Sequence, residues 1–379
     1  MSIPPAILDL AFERVVYGLT QPVIHDVAIS SNVEFVCRNP QNRAGVRLLL
    51  ACCLAKSHKP NLDIRKPYTE IGDLDCYSGR TYDEAYITSF INKHELPCNP
   101  TTAFLTPALR NRNIFLTPEV NLVGKPPILY KTVLSLLDDV YSGRVLAEDV
   151  LAETIRYLLI VKNEKRQRIA SLLADLRTVK GGIPLSTEAI VKLIEQHLNC
   201  RNSSRLPVLI VAAAYQAASA YLGQRHLALA NHNAADKQTG ALGDLEIMLL
   251  NEENVITSYE MKMKKVTVDD INHAIQKIRN SPQKIDNYIF ITTDLIDQSV
   301  QEYASDVYEK TGGIELVVLD CISFIRYFLH LFHRLRMFFL ETYQQLVLDE
   351  PDSAVSQPLK EAFLALRQAA ESSKEELEE

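Results

Sequence analysis

Apolar residues recur at helical spacing through the first half of this chain and at strand spacing in much of the second. Arg43 to His58, Asp83 to Glu95, Lys131 to Tyr141 and Leu146 to Arg177 carry patterns that predict helices. The Gly181-to-Pro184 break ends the last of these, and Ser186-Thr187-Glu188 reads as the cap of a helix reaching about Leu198. The polar stretch Asn199 to Arg205 marks a domain boundary. Leu206 to Leu222, an apolar run broken by Gln216 and Ser219, predicts a buried helix and not a membrane span. Further on, Asp244 to Leu250 and Val255 to Lys264 read as strands, and Asp269 to Arg279 as a helix with Ile271, Ala274, Ile275 and Ile278 on one face. Two more apolar strands follow, Asn287 to Thr293 and Glu315 to Asp320. Cys321 to Val347 then reads as one long aromatic helix, and 359–370 as another.

This order predicts an α/β fold: a mixed sheet of four to five strands with flanking crossover helices, joined to a mainly helical N-terminal domain. The expected divisions are 1–200, 201–348, and a C-terminal helix with an acidic tail over 349–379.

Within Val255 to Lys264, alternation puts Thr257, Tyr259, Met261 and Met263 on one face and Ser258, Glu260, Lys262 and Lys264 on the other. Asp244 heads the preceding strand, sixteen residues before Glu260. Two carboxylates and an ammonium are the groups that metal-dependent phosphodiester cleavage needs. A four-residue turn, Asn251 to Asn254, would set Leu245 opposite Glu260. An odd loop, a bulge, or a bend at the strand start is required to bring Asp244 to the same face. The plain alternative is a solvated strand face on which Glu and Lys alternate.

Composition narrows the function classes. A net charge of −7 and a pI near 5.8 speak against indiscriminate nucleic-acid binding and leave room for a local basic cleft. Seven Cys without a paired C-x-x-C spacing disfavour structural zinc and a disulfide framework, and fit reduced thiols in the cytoplasm. The N-terminal segment meets Asp9 and Glu13 early, unlike a signal peptide. No Gly-rich phosphate cradle is present, so a nucleotide cofactor is not expected. The nine His are scattered. Only His330 and His333 are expected to share a helix face, as a polar stripe. Asn231-His232-Asn233 is either a structural loop or an approach to the scissile phosphate.

Lys93 to Asn113 is the densest polar region of the N-terminal half. It holds Asn99, Thr101, Thr102, Arg110, Asn111, Arg112 and Asn113 around three prolines, with Arg80 nearby. Arg and Asn suit bidentate contacts to base edges. A Pro-punctuated surface loop with Asn in its turns accounts for the same composition.

The strand–strand–helix–strand–helix–strand region resembles the PD-(D/E)XK nuclease superfamily, with Asp244, Glu260 and Lys262 at its acid, acid and lysine positions. Gly243 stands where the superfamily name has Pro, and Gln276 matches a glutamine many members carry on the following helix. Residues 93–113, together with Asp236 to Asp244, resemble the SacI-like group of type II restriction endonucleases, over about residues 35 to 345. The resemblance implies a restriction-endonuclease-like fold and a Mg²⁺ ion held by Asp244, Glu260 and the Met261 carbonyl. It also implies Lys262 beside the attacking water, Glu246 and Gln276 in support, and DNA contacts from the N-terminal residues above with Lys264 and Lys265. Double-stranded DNA is the expected partner, cut by a homodimer. A repair or recombination nuclease, a silent DNA-binding protein on the same fold, and a helical-repeat interaction protein are the alternatives.

Overall fold

Tyr259 and Glu260, neighbours in sequence, belong to opposite sides of a five-stranded sheet, and their strand organises half of the molecule. The computed structural model describes residues 3–99, 101–178, 183–229, 241–252, 254–282 and 284–372. The chain divides into two compact units, Met1–Arg168 and Ile169–Glu379. The division falls inside a long helix and not at the expected 200/201. The Asn199-to-Arg205 stretch instead joins two helices within the second unit.

The first unit is helical: α1 (Pro4–Val16), α2 (Val27–Arg38), α3 (Ala44–His58), α4 (Gly79–Tyr82), α5 (Thr88–His94), α6 (Pro127–Tyr141) and the start of α7 (Ala147–Thr178). Neither α1 nor α2 was anticipated. Both nonetheless carry start signals: prolines in the first turn of α1, and an Asp26 carboxylate that accepts from Ala28 N and Ile29 N at the head of α2. Every residue of α3 from Ala44 to Ala55 is buried, so this helix is the centre of the unit. Within that core the Arg47 guanidinium pairs with Asp83, which opens a single π-helical turn, Asp83–Ile87. Removing one partner of such a pair would leave an uncompensated charge in an apolar interior.

The second unit adds α8 (Thr187–Leu198) and α9 (Leu206–Leu222), then β1 (Gln224–His226), β2 (Leu245–Leu249), β3 (Val255–Lys262), α10 (Val268–Asn280), β4 (Asn287–Thr292), α11 (Gln298–Thr311) and β5 (Glu315–Asp320). The chain closes with α12 (Cys321–Leu331), α13 (Arg336–Asp349) and α14 (Gln357–Ser372). Strand order is β1-β2-β3-β4-β5, antiparallel as far as β3 and parallel from β3 to β5. This is the mixed α/β sheet that the sequence pattern implies, with β1 as an additional short strand.

Two cores cover the two faces. Leu245, Ile247, Tyr259 and Ile291 pack with α8, α9, α12, α13 and α14, whereas Val255, Tyr288, Phe290, Leu316 and Val318 pack with α10 and α11. β3 therefore does not have the wet polar face expected of it: Ser258 is fully buried, and only from Glu260 onward does that face open. A sheet with helices on both sides buries both faces of its central strands.

The expected single helix from Cys321 to Val347 is two, parted at Phe332 (φ −107°, ψ 46°) by a 3-10 turn, His333–Leu335. His330 consequently does not share a helix face with His333, and its Nε2 lies 3.1 Å from Glu188. All seven Cys are free thiols. Among the described residues, no helix is long and apolar enough to cross a membrane. Gly181, Gly182, Asn231 to Asn233, Asp236 to Gly240 and the tail beyond Ser372 lie outside the described residues.

Candidate active site

The site is set by a bulge. Near the turn Met248 pairs with Val255, but beyond it Ile247 pairs with Thr257 and Leu245 with Tyr259, so Ile256 has no partner on β2. Continuing the Leu245–Tyr259 pairing by one residue sets Asp244 opposite Glu260. Of the three routes anticipated for this register, the bulge occurs, and Asp244 also lies at a bend. Val255 consequently points to one core and Tyr259 to the other.

Asp244 is fastened to β3 twice. Its backbone N–H donates to Tyr259 O at 2.7 Å, and its Oδ2 accepts from the Met261 N–H at 2.7 Å. The approach is close because residue 243 has no side chain. A Cβ there would come within 2.4 Å of Tyr259 O and 2.6 Å of Ser258 Oγ. Proline carries a Cβ as well, so glycine at this place has a local steric reason.

Glu260 is held at both oxygens. Oε1 meets Lys262 Nζ at 2.8 Å, while Oε2 accepts from the Tyr288 hydroxyl and meets Lys277 Nζ at 3.2 Å. Burial raises the pKa of Glu260. The hydrogen bonds from Lys262 and Tyr288 and the charges of Lys277 and Lys262 outweigh that and hold it below its ordinary value. Lys262 shows the mirror case: burial lowers its pKa, but the bonds to Glu260 and Asp270 prevail and raise it.

Asp270 links this pair to α10. Its Oδ2 accepts from Thr267 N at 2.9 Å to complete a capping box, and its Oδ1 lies 3.1 Å from Lys262 Nζ. Seven residues on, and so on the same helix face, Lys277 reaches Glu260. Gln276 is exposed and forms no side-chain hydrogen bond among the described residues. Glu246 is buried and accepts from Leu242 N at 2.8 Å, closing the loop that leads into β2. Lys264 and Lys265 are exposed, and Lys265 pairs with Asp297 at 2.6 Å.

Asp270, Lys277 and Tyr288 were not singled out from sequence. The seven-residue spacing of the first two was a readable signal. The third depends on the β3–β4 register, which only the fold supplies.

The first unit holds the other candidates. Thr102 is buried, and its hydroxyl donates to Asp83 Oδ2 at 2.6 Å. The Asn99 carbonyl accepts from Arg47 Nη1 at 2.6 Å. Both thus anchor the loop to the Arg47–Asp83 pair. Asn111 (φ 53°) and Asn113 (φ 49°) are exposed in the left-handed region, where Asn is favoured for backbone reasons. Arg112 is half-buried and donates to Ala108 O, Arg80 pairs with Glu84, and Thr101 is exposed. Arg110 is exposed and forms no ion pair among the described residues.

Asp244, Glu260 and Lys262 set hard oxygen donors and an ammonium side by side at the head of β2 and on β3, groups of the kind that metal-dependent phosphodiester hydrolysis uses. Residues 185–293 match the SacI restriction endonuclease C-terminal domain family. Over those residues the chain is similar to the C-terminal domain of a restriction endonuclease, of the SacI group that the sequence resemblance names. The match runs from the start of α8 to the end of β4 and includes Asp244, Glu260, Lys262, Lys277 and Tyr288. No curated protein matches the chain.

Proposed function

We propose that this protein is a type II restriction endonuclease of PD-(D/E)XK type that cuts double-stranded DNA at a specific sequence with Mg²⁺. Asp244, Glu260 and Lys262 are its catalytic groups. The observation that carries the reading is the shared peptide: Asp244 is hydrogen-bonded to the residue that follows Glu260, and Lys262 touches Glu260.

Two carboxylates and the Met261 carbonyl are a donor set that suits a hard divalent cation. Bound there, Mg²⁺ supplies Lewis-acid polarisation of the scissile phosphate and a more acidic water. Lys262 has its pKa raised, so it acts as a fixed positive charge that stabilises developing negative charge and orients the attacking water. Tyr288, Lys277 and Asp270 keep Glu260 and Lys262 in one arrangement. Glu246 shapes the loop that delivers Asp244, and Gln276 on α10 supports the catalytic set. The first unit reads the DNA through Arg110 and its neighbours Arg80, Asn99, Thr101, Asn111, Arg112 and Asn113, with Lys264 and Lys265 against the backbone. A homodimer matches a two-fold site, and the enzyme acts in the cytoplasm without a nucleotide cofactor.

Plasmid digestion with Mg²⁺ tests the reading. Discrete fragments with 5′-phosphates are expected, abolished by EDTA and by Glu260→Ala or Lys262→Ala. Shape-directed cutting without fixed ends would point to a repair or recombination enzyme. Wild-type rates for either variant would remove the site assignment.

A further inference from the structure

Tyr288 is fully buried on β4, yet its hydroxyl is used at the site. It donates to Glu260 Oε2 and lies 3.1 Å from the Leu242 carbonyl, two residues before Asp244. The same Leu242 peptide is held at its N–H by Glu246 Oε1 at 2.8 Å. One phenol therefore touches both limbs of the site: the loop that brings in Asp244 and the carboxylate of Glu260. The ring is itself fixed, packed at 5.3 Å centroid distance against Phe290 in the α10–α11 core. A carboxylate on an exposed strand end samples several rotamers, whereas one held through an oxygen by a buried hydroxyl keeps one.

We propose that Tyr288 is a positioning residue for divalent-cation binding, setting the Glu260 carboxylate relative to the Asp244 loop. This rests on the reading of Asp244 and Glu260 as cation ligands. It deepens that reading by assigning the geometry of the centre to a residue outside the acid–acid–lysine set. Removal of the hydroxyl alone leaves the ring's packing intact and leaves Glu260 to its two lysine contacts, so the cation site loosens while the fold and the DNA surface stay as they are.

The test uses the full chain and Mn²⁺ as the probe, titrated without DNA, together with the Mn²⁺-induced rise in melting temperature. Tyr288→Phe is expected to weaken Mn²⁺ binding about tenfold and to raise the Mg²⁺ concentration for half-maximal cleavage by a similar factor. Metal-free binding to DNA should be unchanged. Tyr288→Leu, made in parallel, is expected to melt lower than Tyr288→Phe but to show the same loss of Mn²⁺ affinity. A merely structural tyrosine would lower the melting temperature and leave the Mn²⁺ affinity alone.

Mn²⁺ affinity within twofold of wild type in Tyr288→Phe overturns the inference. So does failure of Tyr288→Phe to fold, because a role confined to the Glu260 carboxylate and the Leu242 loop leaves the core intact. Glu260→Ala separates the two levels: if it retains cation binding and cleavage, the reading of the site itself falls. If it loses both while Tyr288→Phe matches wild type, only the role of Tyr288 is lost.

Discussion

The Met261 backbone N–H donates to Asp244 Oδ2 at 2.7 Å, in the place where a longer β2 would have offered a ladder carbonyl. The side chain of the first acid thus stands in for backbone pairing, which fixes it to the peptide that follows the second acid. An amide can accept the same bond but carries no charge. Asp244→Asn should therefore keep the fold, with unfolding free energy within about 0.5 kcal/mol of wild type. Cleavage should fall at least about 100-fold, as for loss of a preorganised charge. Single-turnover cleavage beside urea unfolding checks both halves.

Gly243 makes that bond reachable. A methyl group at residue 243 would meet the backbone oxygen of Tyr259 at 2.4 Å, and backbone cannot rotate away as a side chain can. Gly243→Ala should cost about 1–3 kcal/mol in urea unfolding by overpacking. It should also lower cleavage by more than its stability loss explains, because relief of the clash moves Asp244 off β3. Normal cleavage in a folded Gly243→Ala protein would disprove the close-approach argument.

What the sequence made legible was periodicity. The helices Thr187–Leu198 and Leu206–Leu222, and the shared side of Glu260 and Lys262 on β3, depend on local spacing and were readable. The register was not, because an unpaired Ile256 leaves no local mark and is fixed only when Val255 and Tyr259 find different cores. The grip of Tyr288 and Lys277 on Glu260 is a tertiary contact between β3, β4 and α10, beyond the reach of any single window. In the first unit, Thr102 had the composition of a base-reading residue but is buried on Asp83. Composition alone does not tell a surface loop from an anchored one.

That contrast separates Thr102 from Arg110. Thr102→Ala removes a donor to a buried carboxylate and should destabilise the protein by about 1–3 kcal/mol, with DNA sequence preference unchanged. Arg110→Ala, at an exposed residue, should leave the melting temperature within about 1 °C. If Arg110 reads a base edge, it should weaken binding to the specific site by about 1–3 kcal/mol. Fluorescence-anisotropy titrations against specific and scrambled duplexes, with melting curves, decide between them. Equal loss on both duplexes would make Arg110 a phosphate contact.

His197 gives the second unit an acid-sensitive joint. Its ring is fully buried, with Nε2 3.0 Å from the Leu359 carbonyl and Nδ1 2.9 Å from the Tyr343 hydroxyl. A carbonyl only accepts, so Nε2 carries the proton and Nδ1 accepts from Tyr343 in the neutral ring. Burial lowers its pKa from 6.5 to about 4, against a smaller opposing effect of the Leu359 bond. The unfolded chain therefore binds more protons between these values. The neutral ring's contribution is complete above about pH 6.5 and is lost as pH falls toward about 4. Between pH 7 and pH 5 this one group should remove about 2 kcal/mol of stability. Urea unfolding at the two pH values, in wild type and His197→Gln, measures it: the substitution lowers stability at pH 7 but should shrink the pH 7-to-5 difference by that amount. An unchanged difference would show that His197 binds protons alike in the folded and unfolded states, so that burial does not lower its pKa.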